Sequence, residues 1–250
     1  MPLKSKLERQ HRGILWKHFP NDHIARQLIQ TQLNLILPSV HGYCLTTLGE
    51  LADDFTFEMA SVVNVLRLNA SVSNSAWTDP ASLPLPADDI DAIFLPFQLE
   101  QVDDPHALLR QAYRALRPGG KLILCALNPW SLWGIRRTLR PFDRNPLWQI
   151  PYYSHRRLLD WLSVLDFDVK VSHSFMNPLW LKKYQQGDTL ITSASYSIFG
   201  CINFIVADKP VIPLTMKPTW RKIKSSGAIG IEGFHRTMMQ PPYELGNKHD

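Results

Sequence analysis

Apolar and polar positions follow two different periods along this chain, and each change of period marks an element. Ile90, Ala92, Ile93, Phe94 and Leu95 form a short apolar run, the pattern of a strand buried on both faces. Leu108, Ala112 and Leu116 then recur every fourth residue, flanked by Leu109 and Tyr113, which gives a helix one apolar face. Asp104-Pro105 starts that helix: a carboxylate caps free N–H groups, and the ring that follows lacks one. Arg114 and Arg117 stand in its last turn, at the negative end of the dipole, and Pro118-Gly119-Gly120 stops it. Lys121 to Leu127 is a second buried strand, closed by Asn128-Pro129. A strand, a helix and a strand of these lengths make a right-handed crossover between parallel strands. The pattern predicts an open α/β architecture.

Around this unit the chain reads as follows. Residues 1–14 are a polar arm, residues 15–210 the folded domain, and residues 211–250 a basic, proline-containing tail that is largely disordered. Asn21 to Leu37 fits a helix with Ile24, Leu28 and Leu35 on one face, interrupted by Gln32. Tyr43–Leu48, ending at Gly49, and Val62–Leu68 are strands. Residues Pro141 to Pro151 form an irregular excursion. Arg156–Leu165 is a helix with Leu158, Leu159, Leu162 and Leu165 inward, Asp166–Val171 is a strand, and Tyr196–Ala207 is another with a bulge at Gly200.

Composition narrows the class. Of 250 residues 45% are hydrophobic and 20% charged, the balance of a soluble globular protein. No apolar run approaches the roughly 20 residues that cross a bilayer, and MPLKSKLERQHR has no apolar segment behind it to make a secretory signal. Cys44, Cys125 and Cys201 are odd in number, widely spaced and set in apolar stretches. That pattern suits reduced core thiols in a cytoplasmic protein and neither a disulfide framework nor a metal site. The net charge of +5 reads as a solvated face plus a basic tail; the alternative is a surface for nucleic acid or anionic lipid.

Three stretches carry a resemblance. Residues 108–124, LLRQAYRALRPGGKLIL, are similar to the segment entering the fifth strand of class I S-adenosylmethionine-dependent methyltransferases, most of all the type 11 group. Asp79 to Asp91 resembles that group's acid, "LPFP" and "FD" run, and Asn128-Pro-Trp-Ser-Leu-Trp-Gly134 is similar to a feature of a bacterial subgroup. The likeness spans roughly residues 15 to 210. It implies a Rossmann-like fold, a mostly parallel central sheet flanked by helices with an antiparallel C-terminal strand, and S-adenosyl-L-methionine as cofactor.

The resemblance also places a cofactor site. Its glycine-rich loop falls at Gly49, but Leu51 and Asp53 stand at the other two glycine positions, and Thr47 stands where the family's acid meets the cofactor's ammonium group. Asn69 lies 69 − 49 = 20 residues past Gly49, where an acid bonds ribose hydroxyls in dinucleotide-binding folds. Asp79 matches the adenine-contacting acid. Phe97, Gln98 and Glu100 lie just beyond the fourth family strand, where open α/β sheets bind ligands. Asn128, Trp130, Trp133 and Arg136 follow the fifth strand and suit a flat or anionic small-molecule acceptor through stacking and charge.

Methyl transfer needs chiefly alignment, so the lack of a triad or metal cluster in the sequence is in keeping with it. Two other classes stand beside it: a non-catalytic relative that keeps the fold as a binding module, favoured by the altered loop, and a nucleic-acid-binding protein, which has only charge behind it.

Overall fold

A computed structural model describes residues 14–19, 21–68, 83–131, 133–135, 145–175 and 200–211. The chain divides into two units, Met1–Ile212 and Pro213–Asp250, and all described residues lie in the first.

That unit is built on six strands: β1 (His41–Leu48), β2 (Ser61–Leu68), β3 (Ile90–Pro96), β4 (Leu116–Leu127), β5 (Asp168–Phe175) and β6 (Ile202–Asp208). Their order across the sheet is β2-β1-β3-β4-β6-β5. The first four run parallel, with Ala92 opposite Lys121 and Leu95 opposite Leu124, and β6 runs antiparallel to both β4 and β5. The parallel crossover, the central trio of strands and the antiparallel end are as expected from the sequence.

Among the described residues three helices cover the sheet: α1 (Asp22–Ile36), α2 (Pro105–Ala115) and α3 (His155–Val164). Alternate residues of the central strands feed two cores. Leu45, Ala92, Phe94, Ile123 and Cys125 pack with Ile24, Ala25, Ile29 and Leu33 of α1. Leu48, Ile93, Leu95, Leu122 and Leu124 pack with Leu108, Leu109 and Ala112 of α2 and Leu158 and Leu162 of α3. This two-sided burial explains why the strands read as nearly unbroken apolar runs.

Several local expectations change. Leu35 is exposed while Gln32 is buried, so the α1 face is turned from the one the apolar residues suggest. Asp104 does cap α2, accepting from Ala107 N at 2.9 Å, but the helix ends at Ala115 and β4 begins at Leu116. Arg117 is therefore no helix-end cation. The residue before a proline is disfavoured in the α region, and an extended Arg117 reaches sideways instead. Gly200 is not a bulge: it stands before β6, where a β-carbon would strike the backbone of Ser174 and Phe175. Tyr196 to Phe199, residues from Ile212 onward, residues up to Gly13 and residues 136–144 lie outside the described residues.

Arg117 finds a partner that the sequence does not announce. Asp91, at the foot of β3, is buried; its Oδ2 accepts from Tyr43 N at 2.5 Å and Cys44 N at 2.8 Å. Its Oδ1 pairs with Arg117 Nη1 at 2.5 Å, and Arg117 Nη2 donates to His41 O at 3.0 Å. Three neighbouring strands are thus stitched at one carboxylate. Gly42 makes room for it, since a β-carbon there would overlap the Asp91 carboxyl group. Replacing Asp91 by Ala orphans two backbone N–H groups at about 1–3 kcal/mol each. The expected loss is about 2–5 kcal/mol in urea unfolding, with Asp91→Asn, which keeps an acceptor, losing less.

Candidate active site

The carboxyl ends of β1, β3 and β4 meet at one rim, and each ends differently. After Leu48, Gly49 takes φ +87° and donates its N–H to Leu68 O at 2.8 Å, so the chain turns across the top of β2. That left-handed backbone favours glycine. The space beside it is occupied by the amide end of the Gln98 side chain, which a β-carbon at 49 would overlap. Residues 50–52 then form a single 3-10 turn that carries Leu51 into the core, where Leu51 O accepts from Trp16 Nε1 at 3.2 Å. Asp53 points the other way, to Arg67. The two side chains that replace family glycines therefore leave the Gly49 gap free.

β3 ends at Pro96 because Phe97 adopts φ +53°, and the chain folds into the turn 97–101. Phe97 N still bonds Cys125 O at 2.9 Å, the last rung of the ladder. The next donor of β4 on its β3 side, Leu127 N, has no residue of β3 opposite it and gives its hydrogen to Glu100 Oε1 at 2.5 Å. Glu100 is only 3% exposed, and its Oε2 is buried with no hydrogen-bond partner among the described residues. Burial without a cation pushes its pKa up to about 8, against the pull of the Leu127 N–H. The same carboxyl helps raise the Tyr153 phenol and the Cys125 thiol, though burial is the larger cause for both.

Thr47 adds a second orphan: its side chain is fully buried near the end of β1, and Oγ1 has no partner among the described residues. Asn128 follows β4 with its amide already engaged, Nδ2 donating to Gly200 O at 2.9 Å and Oδ1 accepting from Trp130 N at 3.1 Å. Asn128 thereby shapes the loop that bears the two tryptophans. Trp130 is 67% exposed, whereas Trp133 is 1% exposed and packs 6.2 Å from Phe19.

Two expectations are corrected here. Trp133 lies in the α1 core and not on an open rim, because its ring fills space between the loop and Phe19. Phe97 is fully buried too, 5.1 Å from Phe19 and 6.1 Å from Trp16, so it anchors the turn by packing. Thr47, Gly49, Gln98 and Glu100 belong to the strand ends and turns of one rim; Asn69, Asp79 and Arg136 lie outside the described residues. Gln98 is the residue whose part sequence reasoning did not see: a pocket candidate there, it is in the structure the neighbour that requires glycine at 49.

A parallel sheet in this order, antiparallel at one edge, with a glycine turn after β1 and buried polar atoms above its carboxyl ends, is the scaffold of a class I methyltransferase. Residues 52–124 match the family described as "Methyltransferase domain". The chain is 30% identical over 204 residues to the uncharacterized protein YafS of Escherichia coli (strain K12), covering 81% of this chain and 83% of that one. It belongs to the class I S-adenosylmethionine-dependent methyltransferases, in the same family as YafS.

Solved structures show the same fold at low identity. A Thermotoga maritima S-adenosylmethionine-dependent methyltransferase, described as a possible histamine N-methyltransferase, superposes with a TM-score of 0.50 at 20% identity, over 75% of this chain and 89% of that one. The Haloferax volcanii protein solved with the methyltransferase activator Trm112 gives 0.52 at 15% identity, over 75% and 91%. The [4+2]-cyclase SpnF gives 0.51 at 15%, over 73% and 80%. Likeness at this level concerns fold, and chemistry must be argued from the site.

S-adenosylmethionine is the cofactor of this class, and the rim fits it. The space beside Gly49 is taken by the end of a flexible side chain, the Gln98 amide, and not by backbone, while Thr47 Oγ1 and Glu100 Oε2 are buried polar atoms in want of a partner among the described residues. The two tryptophans separate by experiment. Trp133→Ala should cost about 3–5 kcal/mol of stability, and Trp130→Ala should stay within about 0.5 kcal/mol, both read from thermal or urea unfolding.

Proposed function

We propose that this chain transfers a methyl group from S-adenosylmethionine to a small-molecule acceptor presented at the Trp130 loop. The observation that carries the reading is the pair of unpartnered buried polar atoms, Thr47 Oγ1 near the end of β1 and Glu100 Oε2 in the turn after β3, at the end of the sheet where a turn requires glycine at 49. A buried polar group without a partner costs free energy, and a rim that keeps two of them is arranged for a polar ligand. Bound cofactor supplies an electrophilic methyl on a sulfonium. The chain supplies alignment: the Gly49 turn admits close approach, Gln98 can swing aside to contact ligand or close over it, and the exposed Trp130 ring offers a stacking face for the acceptor. Asn69 and Asp79 are the proposed ribose and adenine contacts, and Arg136 the proposed charge for an anionic acceptor.

Cofactor affinity should be lower than a loop with an acid at position 47 would give. Thr47 brings no charge to an ammonium group, and a hydrogen bond to a charged group is worth about 1.5–3 kcal/mol, roughly ten- to hundredfold. The three cysteines are free thiols, in keeping with the proposed cytoplasmic location. Among the described residues no helix is long and apolar enough to cross a membrane.

Titration calorimetry with S-adenosylmethionine and S-adenosylhomocysteine tests the reading. Saturable binding of both is expected. Thr47→Val, which removes the orphan hydroxyl and keeps the shape, should leave stability unchanged or raise it by about 1 kcal/mol while weakening the cofactor about tenfold. No saturation up to millimolar cofactor would overturn the enzyme reading. The non-catalytic relative, with Gln98 permanently filling the Gly49 gap, would then be the better account.

A further inference from the structure

Where β4 leaves the sheet, every backbone group is held by something other than the strand on its β3 side. Leu127 N donates to the Glu100 carboxyl group, Leu127 O accepts from Tyr153 N at 3.1 Å, and Asn128 N donates to Cys201 O at 3.0 Å. From Asn128 onward the loop is fastened in turn: Ser131 Oγ donates to Asn128 O at 2.7 Å and accepts from Gly134 N at 3.2 Å. Of these fastenings, the Glu100 bond is the only one made by an acidic group. Its second oxygen is buried, faces no cation, and has no partner among the described residues.

We propose that Glu100 is a positioning residue whose protonated carboxyl group holds the exit of β4, and with it the Asn128–Trp130 loop, in the arrangement that binds ligand, so that loss of its proton weakens ligand binding. The inference rests on the methyltransferase reading for its binding arm and goes beyond it in assigning a regulated element. An ionised carboxylate in this position would be a buried charge compensated by backbone N–H groups alone, those of Leu127 and of Glu100 itself. It would have to recruit water or move, and Leu127 is attached to whatever it does. The proton leaves to solvent.

The neighbourhood leaves little else to titrate in the same range. Cys125, from β4, and Tyr153, from the segment before α3, face the carboxyl group, and burial pushes both upward, away from neutrality. Arg157 acts on the Tyr153 phenol in the opposite direction. His155 and His173 are both lowered by burial from a value of 6.5, so they change charge below the range at issue. Glu100, with its pKa near 8, is the group expected to change between about pH 7 and 9.

Two measurements decide it, one without ligand. In the free protein, the amide resonances of Leu127, Asn128 and Trp130 should titrate together with a midpoint near pH 8, as Glu100 gives up its proton. With cofactor, affinity should be constant below the midpoint and fall with rising pH above it, by up to about tenfold per pH unit. Glu100→Gln keeps an acceptor for Leu127 N and removes the group that titrates, so whatever its affinity for cofactor, that affinity and the loop amides should no longer change between about pH 7 and 9. A flat resonance titration between about pH 6 and 9.5, or one in which Leu127 moves and the loop amides do not, overturns the proposal. So does a Glu100→Gln variant that keeps the parental pH profile. Failure of cofactor to bind at any pH would count against the functional reading instead, and the resonance titration would still decide the role of Glu100.

Discussion

The rim of this sheet depends on one exchange of hydrogen-bond partner, at Leu127 N. A parallel strand that stops before its neighbour leaves that neighbour with backbone donors facing nothing, and a buried orphan N–H is costly. β3 stops at Pro96, β4 runs to Leu127, and the side chain of Glu100 supplies the missing acceptor. A side chain can do this only by burying its carboxyl group, and backbone N–H groups without a cation do not compensate a full charge, which is why the acid holds its proton so far up the scale. The turn that delivers Glu100 is also the turn that buries Phe97 and sets Gln98 against Gly49. Ligand site and strand end are therefore built from the same few residues.

The opposite end of β3 shows the contrasting solution. Asp91 is as thoroughly buried as Glu100, but it accepts from two backbone N–H groups and pairs with a guanidinium that reaches solvent. The foot of the sheet thus holds a compensated charge and serves as a clamp. The rim holds an uncompensated acid and an unpartnered hydroxyl at Thr47, both of which a polar ligand could satisfy. The asymmetry follows the rule that open α/β sheets bind at their carboxyl ends, expressed in which carboxyl groups are given partners.

Much of this is legible in the sequence, and the reasons for what is not are specific. The β3–α2–β4 unit can be read because one apolar period gives way to another and the Asp104-Pro105 start is a local signal. Arg117 is misplaced by the pattern because helical periodicity runs through Leu116, whereas Pro118 decides the backbone one residue earlier than the apolar positions do. The location of Glu100 can be inferred from its place after a buried strand; its burial cannot, since it depends on where another strand ends. Trp130 and Trp133 are three apart in one loop, and nothing local tells which ring turns inward. Gln32 and Leu35 exchange roles for a similar reason: the α1 core is defined by its partners, Phe19 and Trp133 among them.

The altered glycine loop looks in sequence like the strongest argument against cofactor binding, and the structure weakens that argument on steric grounds. Additional glycines are needed where a loop wraps a ligand with its backbone, because each β-carbon would then stand in the ligand's space. In this chain the crossover from β1 to β2 spans residues 49–60 and contains a 3-10 turn, with no α-helix among them. The turn sends Leu51 down onto Trp16 and Asp53 out to Arg67, whose guanidinium also bonds Ala52 O and Phe55 O and so fixes the whole segment against β2. The short crossover leaves β2 thinly covered, with Val63 at 68% exposure. Yet it confines the demand for a missing β-carbon to Gly49, and what fills the gap there is the end of a side chain, the Gln98 amide, and not backbone. What the substitution at 47 removes is charge, not space, so its effect falls on the strength of ligand binding and leaves the room for ligand as it was.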